Sequence, residues 1–143
     1  MNERVHFDEY YERRLDAGQT KFWELPAIKK AYFIGAYARA VIISSLYSVV
    51  SKENTTFKNW LSNQIISYRN LDRIFENAFR FEQKLKLNIR NDSEVRRLAH
   101  EIPVPKATGI SNSKISYAFV AGFDDYSTFL HENPLENLDN KNK

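Results

Sequence analysis

The stretch Pro26 to Glu53, PAIKKAYFIGAYARAVIISSLYSVVSKE, constrains this chain more than any other. Proline suits the first position of a helix, where its missing N–H would be unbonded anyway, and nothing after Ala27 forbids a helix for about seven turns. The apolar residues do not keep to one stripe. Ile28, Ala31, Tyr32, Phe33, Ile34, Tyr37, Val41, Ile42, Ile43, Leu46, Tyr47 and Val50 cover most of the circumference, and a helix apolar nearly all round has to be buried on nearly all sides. The stretch therefore reads as a central helix wrapped by others. Ala31 to Val50 also has the length a bilayer requires. Arg39 sits near its middle with Ser44, Ser45 and Ser48 beyond it, and an arginine at mid-bilayer costs about 2.5–3.5 kcal/mol, so no membrane span is expected. The small residues Ala31, Gly35, Ala36, Ala38 and Ala40 let another helix backbone approach. A mid-helix glycine costs about 1 kcal/mol relative to alanine, which argues that close packing retains Gly35.

The rest of the composition supports an all-α fold. Gly and Pro number only four each in 143 residues, too few turn residues for many short strands, while ten Phe, eight Tyr and two Trp supply a large core. The chain reads as a single helical domain, residues 1–143, of about five helices around the buried one. Residues 1–24 form an N-terminal extension or short helix, and 133–143 a polar, disordered tail. The absence of cysteine excludes disulfides, thiolate metal sites and thiol nucleophiles. MNERVHFDEYYERR lacks the apolar core of a signal peptide, so a cytoplasmic location is expected. Net charge is +3, unevenly spread. Residues 1–25 hold four cations against six carboxylates and residues 123–143 hold two against five, which leaves +8 for residues 26–122. A basic body between acidic ends points to a polyanionic partner.

Residues 6–16 suit a short helix with Tyr10, Tyr11 and Leu15 inward and Gly18 at its end. Phe22, Trp23 and Leu25 are packing anchors ahead of the central helix. Beyond it, Asn54, Thr55 or Thr56 can cap a helix FKNWLSNQIISY whose Phe57, Trp60, Leu61, Ile65 and Ile66 recur at spacings of three and four, with Ser67 or Asn70 as its break. Asn91, Asp92 or Ser93 caps a short helix with Val95, Leu98, Ala99 and Ile102 inward. Pro103, Pro105 and Gly109 then mark a loop, and Ser111 or Ser113 caps a last helix. Its Ile115, Ala118, Phe119, Gly122, Phe123, Tyr126, Phe129 and Leu130 suit burial.

The clearest two-faced pattern lies in Tyr68 to about Leu87. At about 100° per residue, Leu71, Ile74, Phe75, Ala78, Phe79, Phe81 and Leu85 share one broad face, while Arg69, Arg73, Arg80 and Lys84 fall on a narrow arc opposite. Four cations over about four turns can track a phosphate backbone, which needs charge and reach more than exact geometry. The plainer reading is a solvated face with a Glu76–Arg80 pair at i,i+4. No enzyme motif is present: no Walker loop, dinucleotide fingerprint, nucleophile elbow or HExxH pair, and neither His6 nor His131 stands at a metal-binding spacing from His100. Asp124-Asp125 has no third acidic or His partner at helical spacing and reads as a subunit-facing or solvated pair. A non-catalytic protein without metal or cofactor is expected.

The order KAYFIGAYARAVI, TTFKNWLSNQ, YRNLDRIFENAFRFEQKL and ISYAFVAGF resembles the C-terminal helical domain of the large subunit of type I-B-like CRISPR Cascade complexes. That domain also occurs as a separate small subunit, including in type I-D effectors. The resemblance spans about residues 24–131 and is carried by Phe33, Gly35 and Ala38 in the first helix and by Ile115, Ser116, Phe119, Val120, Gly122 and Phe123 in the last. In place of the small or aromatic residues and second glycine that often follow in that family, this chain has Asp124-Asp125. A chain that begins at Met1 with only this region resembles the stand-alone subunit. The resemblance implies a non-catalytic bundle, several copies lying head to tail beside the large and backbone subunits, that holds target DNA or the displaced strand of the R-loop without reading its sequence. The family has no motif that marks DNA contacts residue by residue, so the helical wheel selects the binding cations: Arg69, Arg73, Arg80 and Lys84, followed by Lys29, Lys30, Lys52, Lys58, Arg96, Arg97, Lys106 and Lys114. Two other readings compete: a structural adaptor that binds only protein partners, and an enzyme or ligand-binding bundle using tyrosines and His100 around a core pocket.

Overall fold

Pro26 is the first residue of a helix that runs to Leu46, and every residue from Lys30 to Ala38 is buried. The computed structural model describes residues 6–17, 20–46, 56–87, 89, 94–103 and 109–134. Among the described residues there are seven α-helices, one 3-10 turn at Tyr68–Asn70 and no strand. The helices are α1 (Asp8–Asp16), α2 (Thr20–Glu24), α3 (Pro26–Leu46), α4 (Thr56–Ser62), α5 (Leu71–Leu85), α6 (Val95–Glu101) and α7 (Asn112–Glu132). The all-α bundle around a buried central helix is therefore the fold, divided more finely than the five helices the sequence suggests. Residues 47–53 of the expected central helix, the caps expected at Asn54, Thr55 and Asn91 to Ser93, and the tail beyond Pro134 lie outside the described residues. No helix among the described residues is long and apolar enough to cross a membrane.

Helix α3 packs chiefly on α7, α6 and α5. Tyr32, Gly35 and Arg39 meet α7, whereas Lys30 and Tyr37 meet α5 and α6. The two sets lie about half a circumference apart at 100° per residue, so α7 and α5 flank α3 on opposite sides. The α3–α7 crossing is reciprocal. A Cβ on Gly35 would stand 2.0 Å from the carbonyl oxygen of Phe119, and one on Gly122 would stand 1.8 Å from that of Tyr32. Close packing is thus the reason for both glycines. Ser111 caps α7 as expected, its hydroxyl accepting from the Lys114 N–H at 3.4 Å.

Helix α1 closes one end of this crossing. Phe7 lies between Tyr10, Tyr32, Phe33, Tyr126 and Phe129, with ring centroids 5.3–6.0 Å apart, edge-to-face and offset arrangements that aromatic quadrupoles favour. Arg14 reaches across to α7 and donates two hydrogen bonds to Asp125, at 2.7 and 2.9 Å, while the Tyr32 hydroxyl donates to the same carboxylate at 2.6 Å. Asp125 is therefore neither solvated nor turned toward a neighbouring subunit; only Asp124 of the pair is exposed. Trp23 is buried as anticipated, but Leu25 is exposed because it stands at the turn between α2 and α3.

The second expected amphipathic helix is cut short. Ser62 Oγ, Asn63 Nδ2 and Gln64 Nε2 donate to the Asn59 and Trp60 carbonyls, which competes with the helix's own N–H groups and ends α4 at Ser62. Ile65 consequently lies outside the helix and is 77% exposed, contrary to its place in the apolar pattern. At the far end of α5 a left-handed Lys86 (φ 53°) turns the chain, and the Leu87 N–H returns to the Glu82 carbonyl at 3.0 Å.

Candidate nucleic-acid interface

The amphipathic pattern of α5 orients it. Leu71, Ile74, Ala78 and Leu85 are buried, with Phe75 and Phe81 partly so, but Phe79, at the edge of the expected apolar face, is exposed. Arg69, on the 3-10 turn, and Arg73, Arg80 and Lys84, on α5, are exposed as the wheel requires. Among the described residues neither Arg69 nor Arg80 makes an ion pair or hydrogen bond, and the Glu76–Arg80 pair is not formed. Arg73 lies over the Trp60 ring of α4 at 5.9 Å, and Lys84 Nζ lies 6.0 Å from the Phe81 centroid.

The weaker candidates divide sharply. Lys58 on α4 and Lys114 on α7 are exposed. Lys29 is half-buried, its ammonium 5.2 Å from the centroid of the Tyr11 ring. Lys30 belongs to the interior rather than to any surface array. Its Nζ donates to the Ala99 and Ile102 carbonyls at 3.3 and 3.2 Å, satisfying the otherwise unbonded C-terminal carbonyls of α6, with Asp72 at 3.9 Å. Arg96 is tied to Glu82 at 2.5 Å, and Arg97 is held between Glu94 and Glu101. Lys52 and Lys106 lie outside the described residues.

Glu82 escaped the sequence reading. It is 6% exposed in the middle of the apolar face of α5, where it accepts from the Tyr37 hydroxyl at 2.5 Å and from Arg96 at 2.5 Å. Its wheel position, between Ala78 and Phe75, is the sequence clue, since a carboxylate there must find a partner. Burial first, and then the bond to Glu82, hold the Tyr37 phenol well above its ordinary value of 10.0. Burial and the Asp125 carboxylate do the same for Tyr32, and burial with Glu12 and Glu24 nearby pushes Tyr11 up to about 12.

Charge is spread unevenly over this packing. Asp8, Glu9, Glu12 and Asp16 of α1, with Arg13 among them, and Asp124 and Glu132 of α7 are exposed on two helices that touch. The α5 cations stand on the helix that packs against the other side of α3. Beside them an open groove of about 300 Å³ is lined by Phe75, Glu76, Phe79, Arg80 and Gln83. The exposed His100 ring lies 5.6 Å from that of Phe75. Among the described residues no three His, Asp or Glu side chains are grouped to hold a metal ion. No family model matches the chain, and neither a curated protein nor a solved structure matches it.

Proposed function

We propose that the chain is a non-catalytic, cytoplasmic nucleic-acid-binding subunit whose α5 surface holds a DNA backbone without reading its sequence. The observation that carries this is the state of Arg69, on the 3-10 turn, and Arg80, on α5: both are exposed and unpaired among the described residues although Asp72 and Glu76 lie between them in sequence. Guanidinium groups left without carboxylate partners are available to phosphate, and their spacing along one line suits a strand. The CRISPR setting, a small subunit that holds target DNA or the displaced strand of an R-loop, rests on the motif resemblance of α3 and α7 alone.

The adaptor reading has its own observation. Tyr117 of α7 is exposed with its ring 6.1 Å from that of the partly buried Phe22 of α2, and Val120 on α7 and Leu25 after α2 are exposed as well, apolar surface that a protein neighbour would cover. In the effector setting that neighbour is the large subunit, a backbone subunit or another copy of the chain. The two readings separate in a salt series of single- and double-stranded DNA binding by the purified chain. It is run beside a variant carrying Arg69→Glu, Arg73→Glu, Arg80→Glu and Lys84→Glu. Phosphate contact gives sequence-independent affinity that falls steeply with salt and a flatter slope in the variant. No wild-type binding at low salt would leave the adaptor reading in its place.

A further inference from the structure

Arg80 belongs both to the cationic line of α5 and to the groove beside it, and the inference drawn from that overlap rests on the nucleic-acid reading of α5. We propose that the groove receives a single unpaired nucleobase, with Phe79 as the stacking platform and Arg80 on the phosphate of the same strand. Phe79 is 39% exposed, whereas the other nine phenylalanines of the chain are buried or partly buried. Its ring is nearly parallel to that of Phe75, 10° between planes and 6.2 Å between centroids. Phe75 is in turn held between Tyr37, at 5.2 Å, and His100, at 5.6 Å. The Phe79 ring thus has an aromatic neighbour that is itself held by two further rings, so little side-chain freedom is lost when a base lands on its exposed part.

The chemistry of the walls selects the occupant. Every base has a π face, so stacking tolerates any sequence, but a base inside a duplex already has its neighbours and cannot enter. Gln83 offers an amide that both donates and accepts, and Glu76 can accept from an exocyclic amino group. The same carboxylate repels phosphate, which places the backbone on the Arg80 side. There Arg73 lies within about 20° on the helical wheel, so the strand continues onto the cationic line. A protein helix fits less well, because the groove follows a short stretch of one helix and its rim is charged.

The test measures binding of the full chain to a mixed-sequence single strand, the same strand made abasic, and the matching duplex. Wild type is compared with Phe79→Leu, which keeps apolar bulk without an aromatic face, and with Phe79→Tyr, which keeps the face. Phe79→Leu should weaken single-strand binding about tenfold and leave the duplex unchanged, with Phe79→Tyr near wild type. The abasic strand should bind wild type as weakly as the ordinary strand binds Phe79→Leu. Equal loss on both strand forms, or no loss at all, overturns the stacking site while leaving salt-dependent backbone binding intact. If wild type binds neither form, the α5 reading and the stacking site fall together. The abasic comparison needs no variant, so a folding defect in Phe79→Leu would not shield the proposal.

Discussion

Gly35 and Gly122 each lie against the other helix's backbone: Gly35 faces the carbonyl of Phe119, and Gly122 faces that of Tyr32. The two contacts together set the distance at which α3 and α7 cross, the most extensive helix pairing in the bundle.

Alanine at either position should destabilise the fold. Alanine gains about 1 kcal/mol over glycine in helix propensity. Its methyl, however, would stand within 2.0 Å of a backbone oxygen that no rotamer change can move. The helices must separate, and overpacking of this kind costs about 1–3 kcal/mol beyond the propensity gain. Urea denaturation should give a lower midpoint for Gly35→Ala and for Gly122→Ala. The double variant should lose less than the sum, because one separation relieves both clashes. Single variants as stable as wild type would show that the crossing is looser than the contacts require.

Alkaline pH should unfold the protein through its buried tyrosines. Tyr32 and Tyr37 have native values held above the ordinary 10.0 by burial and by their carboxylate partners, and Tyr11 is at about 12. Above pH 10 the unfolded chain loses these protons while the native chain keeps them. Stability, fully present below pH 10, therefore falls as pH rises, by about 1.4 kcal/mol per pH unit for each such phenol. Chemical denaturation between pH 9 and 12 measures the slope, which should flatten in Tyr32→Phe and Tyr37→Phe at some loss of stability at pH 7.

Glu82 should matter more for stability than its charge type suggests. Glu82→Ala removes the acceptor of the buried Tyr37 hydroxyl and opens a void on the α3 side of α5, a loss of about 2–4 kcal/mol. Tyr37→Phe in the Glu82→Ala background should then cost little more, since the hydroxyl has already lost its partner. A double-mutant cycle checks the coupling, and additive losses would mean that the bond contributes nothing net. Arg96, itself half exposed, should show a smaller effect than Glu82 when replaced by alanine.

What could be read from the sequence divides along the same physical lines. The burial of α3 and the two faces of α5 are properties of local periodicity, and residues 26–46 and 71–85 display them without reference to the rest of the chain. The two glycines were legible for a related reason: a mid-helix glycine opposes helix propensity, so something must require it. Pairings between distant residues were not legible. Arg14 and Asp125 are 111 residues apart, and nothing in either neighbourhood announces the other. Lys30 looks like a surface cation until α6 presents two carbonyls to it. Ile65 continues an apolar pattern that the side chains of Ser62, Asn63 and Gln64 have already ended. On α5 the cations and the five groove residues all stand on one helix and could be placed by periodicity, but the seating of Phe75 against Tyr37 and His100 is determined only by the packing of three helices.

That division yields a sorting of the cations by experiment. Each phosphate contact to a single strand contributes about 0.7 to the slope of log affinity against log salt. Replacing Arg69, Arg73 or Arg80 by glutamine should flatten the slope by about that amount each. The melting temperature should stay unchanged for Arg69 and Arg80, which make no ion pair or hydrogen bond among the described residues, and fall slightly for Arg73, which lies over the Trp60 ring. Lys30→Met should do the opposite. It removes the donor to the Ala99 and Ile102 carbonyls and lowers the melting temperature, while the slope stays as in wild type. Arg97, held by Glu94 and Glu101, should be near neutral for stability as an exposed ion pair and should also leave the slope unchanged. A slope that responds to Lys30 or Arg97 but not to the α5 arginines would move the nucleic-acid surface away from α5.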